Sequence, residues 1–262
     1  MRNPLMFVCS SILVLALASC GGGNQPTGLP PAPGGAPTAG GGGAAPAATG
    51  TVTGKIAFEG TAPPNEKIQM SADPYCQQHN PNAMTETVKV SDGGLENVIV
   101  YVKNAPAGSY PAPSNPVEID QHDCHYVPHV FTMMTNQPLA VKNADMTLHN
   151  IHAWAEKNPQ FNVGQPVKDM VSQTKFANPE VPLPVRCDVH KWMGAFIGVF
   201  DNPFNTVSKD DGSFELKLPP GNYEITAWHE KFGKKTMMVM VMDNGKAETN
   251  FTFNANDKGT AD

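Results

Sequence analysis

A Cys-x-x-His-x-x-Met run, Cys187-Asp188-Val189-His190-Lys191-Trp192-Met193, places a thiol, an imidazole and a thioether at three-residue intervals. A second imidazole beside an amide, His149-Asn150, lies upstream. Two imidazole nitrogens, a thiolate and a weak axial thioether form a soft, mixed donor set that few metals other than copper exploit; it is the set of a mononuclear type 1 copper centre. The spacing lets one tight turn aim three donors at one point. His149, Cys187, His190 and Met193 are therefore nominated as ligands of one copper ion. The bland alternative is an ordinary buried thiol, a surface imidazole and a core thioether, and the co-occurrence of all four donors argues against it.

Only one of His149 and His152 can serve, because residues three apart on a strand point to opposite faces. Asn150 favours His149, since an amide beside a ligand can tether the neighbouring Cys loop and fix its orientation. His152 is then a packed or exposed strand residue. A centre whose positions are all filled by protein leaves no site for substrate, so one-electron transfer is expected and turnover chemistry is not. A Cys-x-x-Cys-His run, a His-x-x-Glu zinc motif and a Gly-x-Ser-x-Gly elbow are all missing, which removes c-type haem and the commoner hydrolases.

The elements that must position these donors read as strands. Val52, Ile56 and Phe58 alternate with polar residues, Val98, Val100 and Val102 with Ile99 and Tyr101, and Phe214, Leu216 and Leu218 repeat the period of two. Tyr223, Ile225 and Ala227 do the same after the Pro219-Pro220-Gly221 turn. Asn162 to Phe176 reads as a loop with at most a short helix, and an all-β chain is expected. Met237, Met238, Met240 and Met242, interleaved with Val239 and Val241, fit a core-facing strand better than a thioether patch. Trp192 suits either a shield over the metal or the core, and Glu180 with its neighbouring prolines suits a structural role. Trp228-His229-Glu230 reads as the rim of a sandwich.

Tyr126 to Phe131, Gln137 to Asp145 and Thr147 to His152, followed by the Cys-His-Met loop, resemble the cupredoxin family over about Val117 to Asp201. The resemblance implies a Greek-key β-sandwich with His149 as the upstream ligand. Cys187, His190 and Met193 would then be ligands on a short loop like that of amicyanins. Thr51 to Glu59, Gly93 to Val102, Asp210 to Glu215 and Leu218 to Ile225 resemble a transthyretin-like or carboxypeptidase regulatory-like sandwich, a module that carries no peptidase residues. A cupredoxin nested in, or fused edge to edge with, a small Ig-like sandwich follows. The expected segments are a signal peptide at 1–19, a tether at 20–50, the first part of the outer sandwich at 51–112, the cupredoxin at 113–201, the second part of the sandwich at 202–254 and a tail at 255–262.

Arg2 and the apolar stretch Leu5 to Ala18 form a targeting segment too short to span a bilayer stably. Leu17-Ala18-Ser19-Cys20 resembles the bacterial lipobox, which implies cleavage before Cys20 and its lipidation. Gly21 in place of Asp carries no signal for retention at the inner membrane. From Gly21 to about Gly50 the chain is almost wholly Gly, Pro, Ala and Thr, which cannot offset the entropy of folding and makes a flexible tether. A bacterial cell-envelope protein is expected, lipid-anchored at the outer membrane and facing the periplasm or the cell surface. With Cys9 in the signal, Cys20 lipidated and Cys187 in the metal motif, Cys76 and Cys124 remain. Outside the cytosol two such cysteines, in Asp73-Pro74-Tyr75-Cys76 and Asp123-Cys124-His125, which read as a loop and a strand edge, suggest a disulfide. A second metal site using Cys124 with His122, His125 or His129, and two unpaired thiols, are the alternatives. A formal charge of −6 over 262 residues, without any basic run, argues against nucleic acid. The expected partner is an exported cytochrome or copper oxidoreductase, and the rival roles are copper delivery and a metal-free scaffold.

Overall fold

The computed structural model describes residues 44–258. The expected signal segment, Cys20, most of the tether and the last residues of the tail lie outside the described residues. The chain makes β1 (Gly50–Glu59), a strap carrying the helix α1 (Pro74–His79), and the short strands β2 (Val90–Ser91), β3 (Gly94–Leu95) and β4 (Ile99–Val102). There follow β5 (Val117–His122), β6 (His125–Val127), β7 (Val130–Met134), β8 (Leu139–Asn143) and β9 (His149–Ala153). Next come β10 (Phe161–Gln165), β11 (Val171–Thr174), β12 (Glu180–Arg186) and β13 (Gly194–Phe200). The last strands are β14 (Asn205–Val207), β15 (Ser213–Leu218), β16 (Gly221–His229), β17 (Gly233–Val241), β18 (Lys246–Glu248) and β19 (Phe251–Asn254). The described fold is all-β apart from that one six-residue helix, and no helix among the described residues is long and apolar enough to cross a membrane.

Strands β5 to β13 divide between a sheet of order β10-β9-β12-β13-β7 and a sheet of order β11-β8-β5-β6. The outer strands form a second pair: β14-β4-β16-β17, and a sheet in which β1 is flanked by β15, β18, β19 and β3, with β2 beyond β3. Each pair has its own core. Ile119, Val141, Ile151, Leu183 and Val185 are buried in the inner one; Val52, Ile56, Phe58, Phe214, Leu216 and Leu218 are buried in the outer one. The outer set carries the period-two pattern that the sequence predicts. The chain leaves the outer sheet after β4 and rejoins it at β14, and these two strands are antiparallel neighbours with Asn205 opposite Tyr101.

Strand β13, Gly-Ala-Phe-Ile-Gly-Val-Phe, is apolar without alternation because both of its faces are covered. Ala195, Ile197 and Val199 enter the inner core, while Phe196 and Phe200 join Ile99, Val130 and Trp228 in a third cluster that fastens the inner sheets to the outer ones. Gly198 permits that approach, since a Cβ there would lie 2.7 Å from the Phe200 ring and 3.3 Å from Ile99 Cδ1. Gly212, with φ +78°, makes the turn before β15, and a Cβ there would collide with the Ile56 carbonyl oxygen at 2.3 Å.

Three expectations are corrected. The stretch Asn162 to Phe176 is mostly strand: β10 pairs with β9, and β11 pairs with β8, the ladders supplying order that a weak alternation did not announce. Cys76 lies in a helix rather than a loop. Asp73 caps it, accepting from Cys76 N–H at 3.1 Å, and Pro74 occupies the first turn. The methionines of β17 do not face a core. Val239 and Val241 are the buried set, and Met238, Met240 and Met242 are 66–69% exposed on the other face. A further difference concerns the strap. Ile68, Met70, Tyr75, Cys76 and Ala83 pack on the inner core, although this stretch falls within 51–112, which the sequence reading gives wholly to the outer sandwich.

Candidate metal centre

Strands β12 and β13 are antiparallel, with Arg186 opposite Gly194, so Cys187 to Met193 is the loop of a hairpin. Cys187 N–H donates to Met193 O at 3.2 Å, and Met193 N–H donates to His190 O at 2.9 Å, closing the loop into the tight turn that the three-residue spacing requires. Strand β9 lies on the other side of β12, with His152 opposite Arg186, which brings His149 and Asn150 alongside the loop. Asn150 Oδ1 accepts from Asp188 N–H at 2.6 Å, Val189 N–H at 3.4 Å and the Cys187 thiol at 3.3 Å. The amide thus ties the start of the loop to β9.

His149, Cys187 and His190 are all buried, and their donor atoms lie within 4.8 Å of one another. His149 Nδ1 is 2.9 Å from His190 Nδ1, and His190 Nδ1 is 4.0 Å from Cys187 Sγ. Met193 is buried in the same core cluster as Cys187. The opposite edge of each ring rests on a carboxylate: His149 Nε2 is 2.9 Å from Asp145 Oδ2, and His190 Nε2 is 2.9 Å from Asp73 Oδ2. A carboxylate accepts, so each Nε2 carries a proton and each Nδ1 presents its lone pair inward. Two lone pairs facing each other at that distance, beside a thiol and away from water, call for a cation between them. The residues fit a copper ion.

The anchors are themselves held. Asp145 accepts from Asp123 N–H at 2.9 Å and Cys124 N–H at 2.8 Å. Asp73 Oδ2 also accepts from Thr147 Oγ1 at 2.8 Å. Cys76 and Cys124 form a disulfide, which withdraws Cys124 from any metal role with His122, His125 or His129. Trp192 donates from Nε1 to Cys124 O at 3.1 Å, with its ring centroid 5.0 Å from that of His190. Its part is to cover the loop histidine, which retains 3% of its surface.

These contacts set the charges. Burial raises the Cys187 thiol, but the neighbouring His149 and His190 side chains and the Asn150 and His190 backbones outweigh it and bring the pKa down to about 6. Burial works against ionised Asp145 and Asp73, and it is overcome by their N–H and imidazole donors, so both stay below the usual carboxylate range. Burial lowers His149, and the Asp145 carboxylate and the Cys187 sulfur more than offset it, leaving a net rise. The centre is thus supplied with a thiolate at neutral pH.

The other nominated residues go elsewhere. His152 points away from the thiol and pairs with Asp188 at 3.0 Å. Glu180 is buried and accepts from Glu156 N–H, Lys157 N–H and Asn158 Nδ2, the structural role expected. His229 is fully buried rather than at a rim, and Glu230 pairs with His129. Asp73 and Asp145 were not singled out from the sequence. Asp73-Pro74 carries a helix-start signature, and Asp145 precedes His149 by four residues, but neither signal specifies an imidazole partner.

No family model and no curated protein sequence matches the chain. Solved structures do. A copper-containing nitrite reductase from Thermus scotoductus SA-01 is similar over 38% of this chain and 25% of the reductase, with 15% identity and a TM-score of 0.31. A purple cupredoxin from Nitrosopumilus maritimus is similar over 31% of this chain and 97% of its own, with 16% identity and a TM-score of 0.28. A copper(I) form of an amicyanin variant is similar over 38% of this chain and 97% of its own, with 14% identity and a TM-score of 0.30. The chain therefore spans a quarter of the reductase and nearly all of the two small copper proteins.

Proposed function

We propose that this chain is a type 1 copper protein of the bacterial cell envelope that carries single electrons between exported partners, tethered to the membrane by lipid on Cys20. The observation that supports this reading above the others is the inward-facing pair of Nδ1 atoms on His149 and His190 beside the Cys187 thiol, each imidazole backed by a carboxylate. Copper bound there supplies one-electron chemistry by cycling between its +1 and +2 states. The chain's own residues do the rest. Cys187 donates as thiolate, the two carboxylates hold both rings in one tautomer, and Asn150 holds the loop against β9. Met193, buried in the same cluster, would be the fourth residue to hold the metal. A frame fixed from several directions keeps its donors in place through a change of charge, which is the condition for fast electron exchange.

Cys187 lines a cleft of about 460 Å³ with Trp154, Pro184, Arg186, Asp188 and Lys191, while the His190 edge is closed by the strap. An exported cytochrome or copper oxidoreductase is the class of partner that this role requires. The absence of an open coordination position in a four-donor centre argues against turnover.

The test is the visible and EPR spectrum of the chain loaded with copper(II), with Cys187→Ser and His149→Ala in parallel. An intense thiolate-to-copper band with narrow hyperfine splitting, lost in both variants, supports the proposal. A pale, exchangeable copper bound equally by the variants would favour delivery, and copper stoichiometry near zero a scaffold.

A further inference from the structure

The two carboxylates that back the histidines come from distant parts of the chain, Asp73 from the strap and Asp145 from the turn before β9. Each is held by the backbone of a cysteine: Cys76 N–H donates to Asp73 Oδ1 at 3.1 Å, and Cys124 N–H donates to Asp145 Oδ2 at 2.8 Å. Those two cysteines are bonded to each other. The disulfide therefore joins the two backbone donors that hold the anchors, and hydrogen bonds carry that link on to the two imidazoles. The disulfide also lies against the loop histidine, with Cys76 Sγ 3.8 Å from His190 Nε2.

We infer that Asp73, Asp145 and the Cys76–Cys124 disulfide form one positioning frame that selects the Nε2–H tautomer of both histidines, so that the strap is a working part of the metal centre. The inference deepens the copper reading and rests on it only for the consequence that copper is retained. The tautomer is a property of the metal-free chain. Asp73 is a positioning residue: it touches His190 and acts through it. Its two oxygens have separate tasks, Oδ1 capping α1 and Oδ2 accepting from Thr147 Oγ1 and His190 Nε2.

That division supplies a discriminating variant. In Asp73→Asn the amide oxygen can keep the helix cap, which leaves Nδ2, a donor, facing His190 Nε2. Nε2 must then become the acceptor, and the His190 proton moves to Nδ1, the nitrogen that faces the thiol and His149. The experiment is long-range proton–nitrogen NMR on the full metal-free chain labelled with nitrogen-15, read at both histidines. The expected result is Nε2–H on both rings in the parent and an Nδ1–H tautomer confined to His190 in Asp73→Asn, with unchanged far-ultraviolet circular dichroism. Asp145→Asn should switch His149 in the same way. Removal of copper by a chelator should become 10- to 100-fold easier in Asp73→Asn, the range for residues that orient metal ligands. In Cys76→Ser/Cys124→Ser the removal rate should rise as well, and both rings should lose their tautomer preference.

An unchanged His190 tautomer in Asp73→Asn overturns the inference, as does a folded disulfide-free variant with parental tautomers and copper removal rate. If the double cysteine variant does not fold, the two Asn variants still decide. A tautomer switch in a chain that never gives a type 1 spectrum would uphold the frame and retire the copper reading, so the two failures are distinguishable.

Discussion

Asn150 shows how much one side chain can organise. Its single carbonyl oxygen accepts from two loop N–H groups and the thiol, while its Nδ2 donates to Asn162 Oδ1 and Asp188 Oδ2. In Asn150→Ala the Asp188 and Val189 N–H groups lose their acceptor, and urea unfolding of the metal-free chain should show a loss of about 1–3 kcal/mol. A second residue governs acid behaviour. His229 is enclosed near Phe232 and Phe253, its Nδ1 accepts from Lys231 N–H at 3.1 Å, and its Nε2 has no hydrogen-bond partner among the described residues. Burial, reinforced by His129 and Lys231, lowers its pKa from 6.5 to about 3. The unfolded chain takes up this proton below its own pKa and the native chain does not, so stability falls as pH drops from about 6.5 towards 3 and levels off beneath. The contribution has a slope of up to about 1.4 kcal/mol per pH unit. In His229→Leu the pH dependence of unfolding between those limits should shrink by about one proton; an unchanged slope would place the acid sensitivity elsewhere. At this scale the clustered donors were legible because Cys187, His190 and Met193 are close in sequence and chemically distinctive. Asp73 was not, since it meets His190 across 117 positions and a lone aspartate before a proline announces only a helix cap.

Among the elements, the outer strands were legible wherever one face is buried and the other wet, as in β1 and β15. Strand β17 obeys the same alternation, but its phase was misread, because methionine is apolar enough to pass for the core set while the smaller valines fill it. The exposed face has a chemical consequence. Thioethers oxidise to sulfoxides in order of access, so mild peroxide treatment followed by peptide mass spectrometry should find Met146, Met238, Met240 and Met242 modified first. Met70, Met133 and Met193, each at most 3% exposed, should be spared while the fold is intact. Early modification of Met193 would mean that the loop opens. Strands β10 and β11 were missed for the opposite reason. Their burial is partial, and their order comes from pairing with β9 and β8 rather than from a pattern of their own.

At the scale of the whole molecule, the inner and outer cores share the cluster around Phe196, Phe200, Ile99 and Trp228, and the strap runs from the outer sheet to the inner core. Unfolding should therefore be one cooperative event, with tryptophan fluorescence and far-ultraviolet circular dichroism giving coincident urea midpoints. Two separated midpoints would show that the shared cluster is too small to couple the layers. The pairing of β4 with β14 adds a thermodynamic link of another kind. It makes strands β5 to β13 the loop of a β-hairpin, with Tyr101 and Asn205 as its last paired residues. Closing a flexible loop of roughly a hundred residues costs on the order of 4 kcal/mol of chain entropy. Whichever layer folds first brings the other's ends together, so each acts as the other's effective concentration, and a residue that weakens the outer hairpin should loosen the proposed copper ligands without touching them.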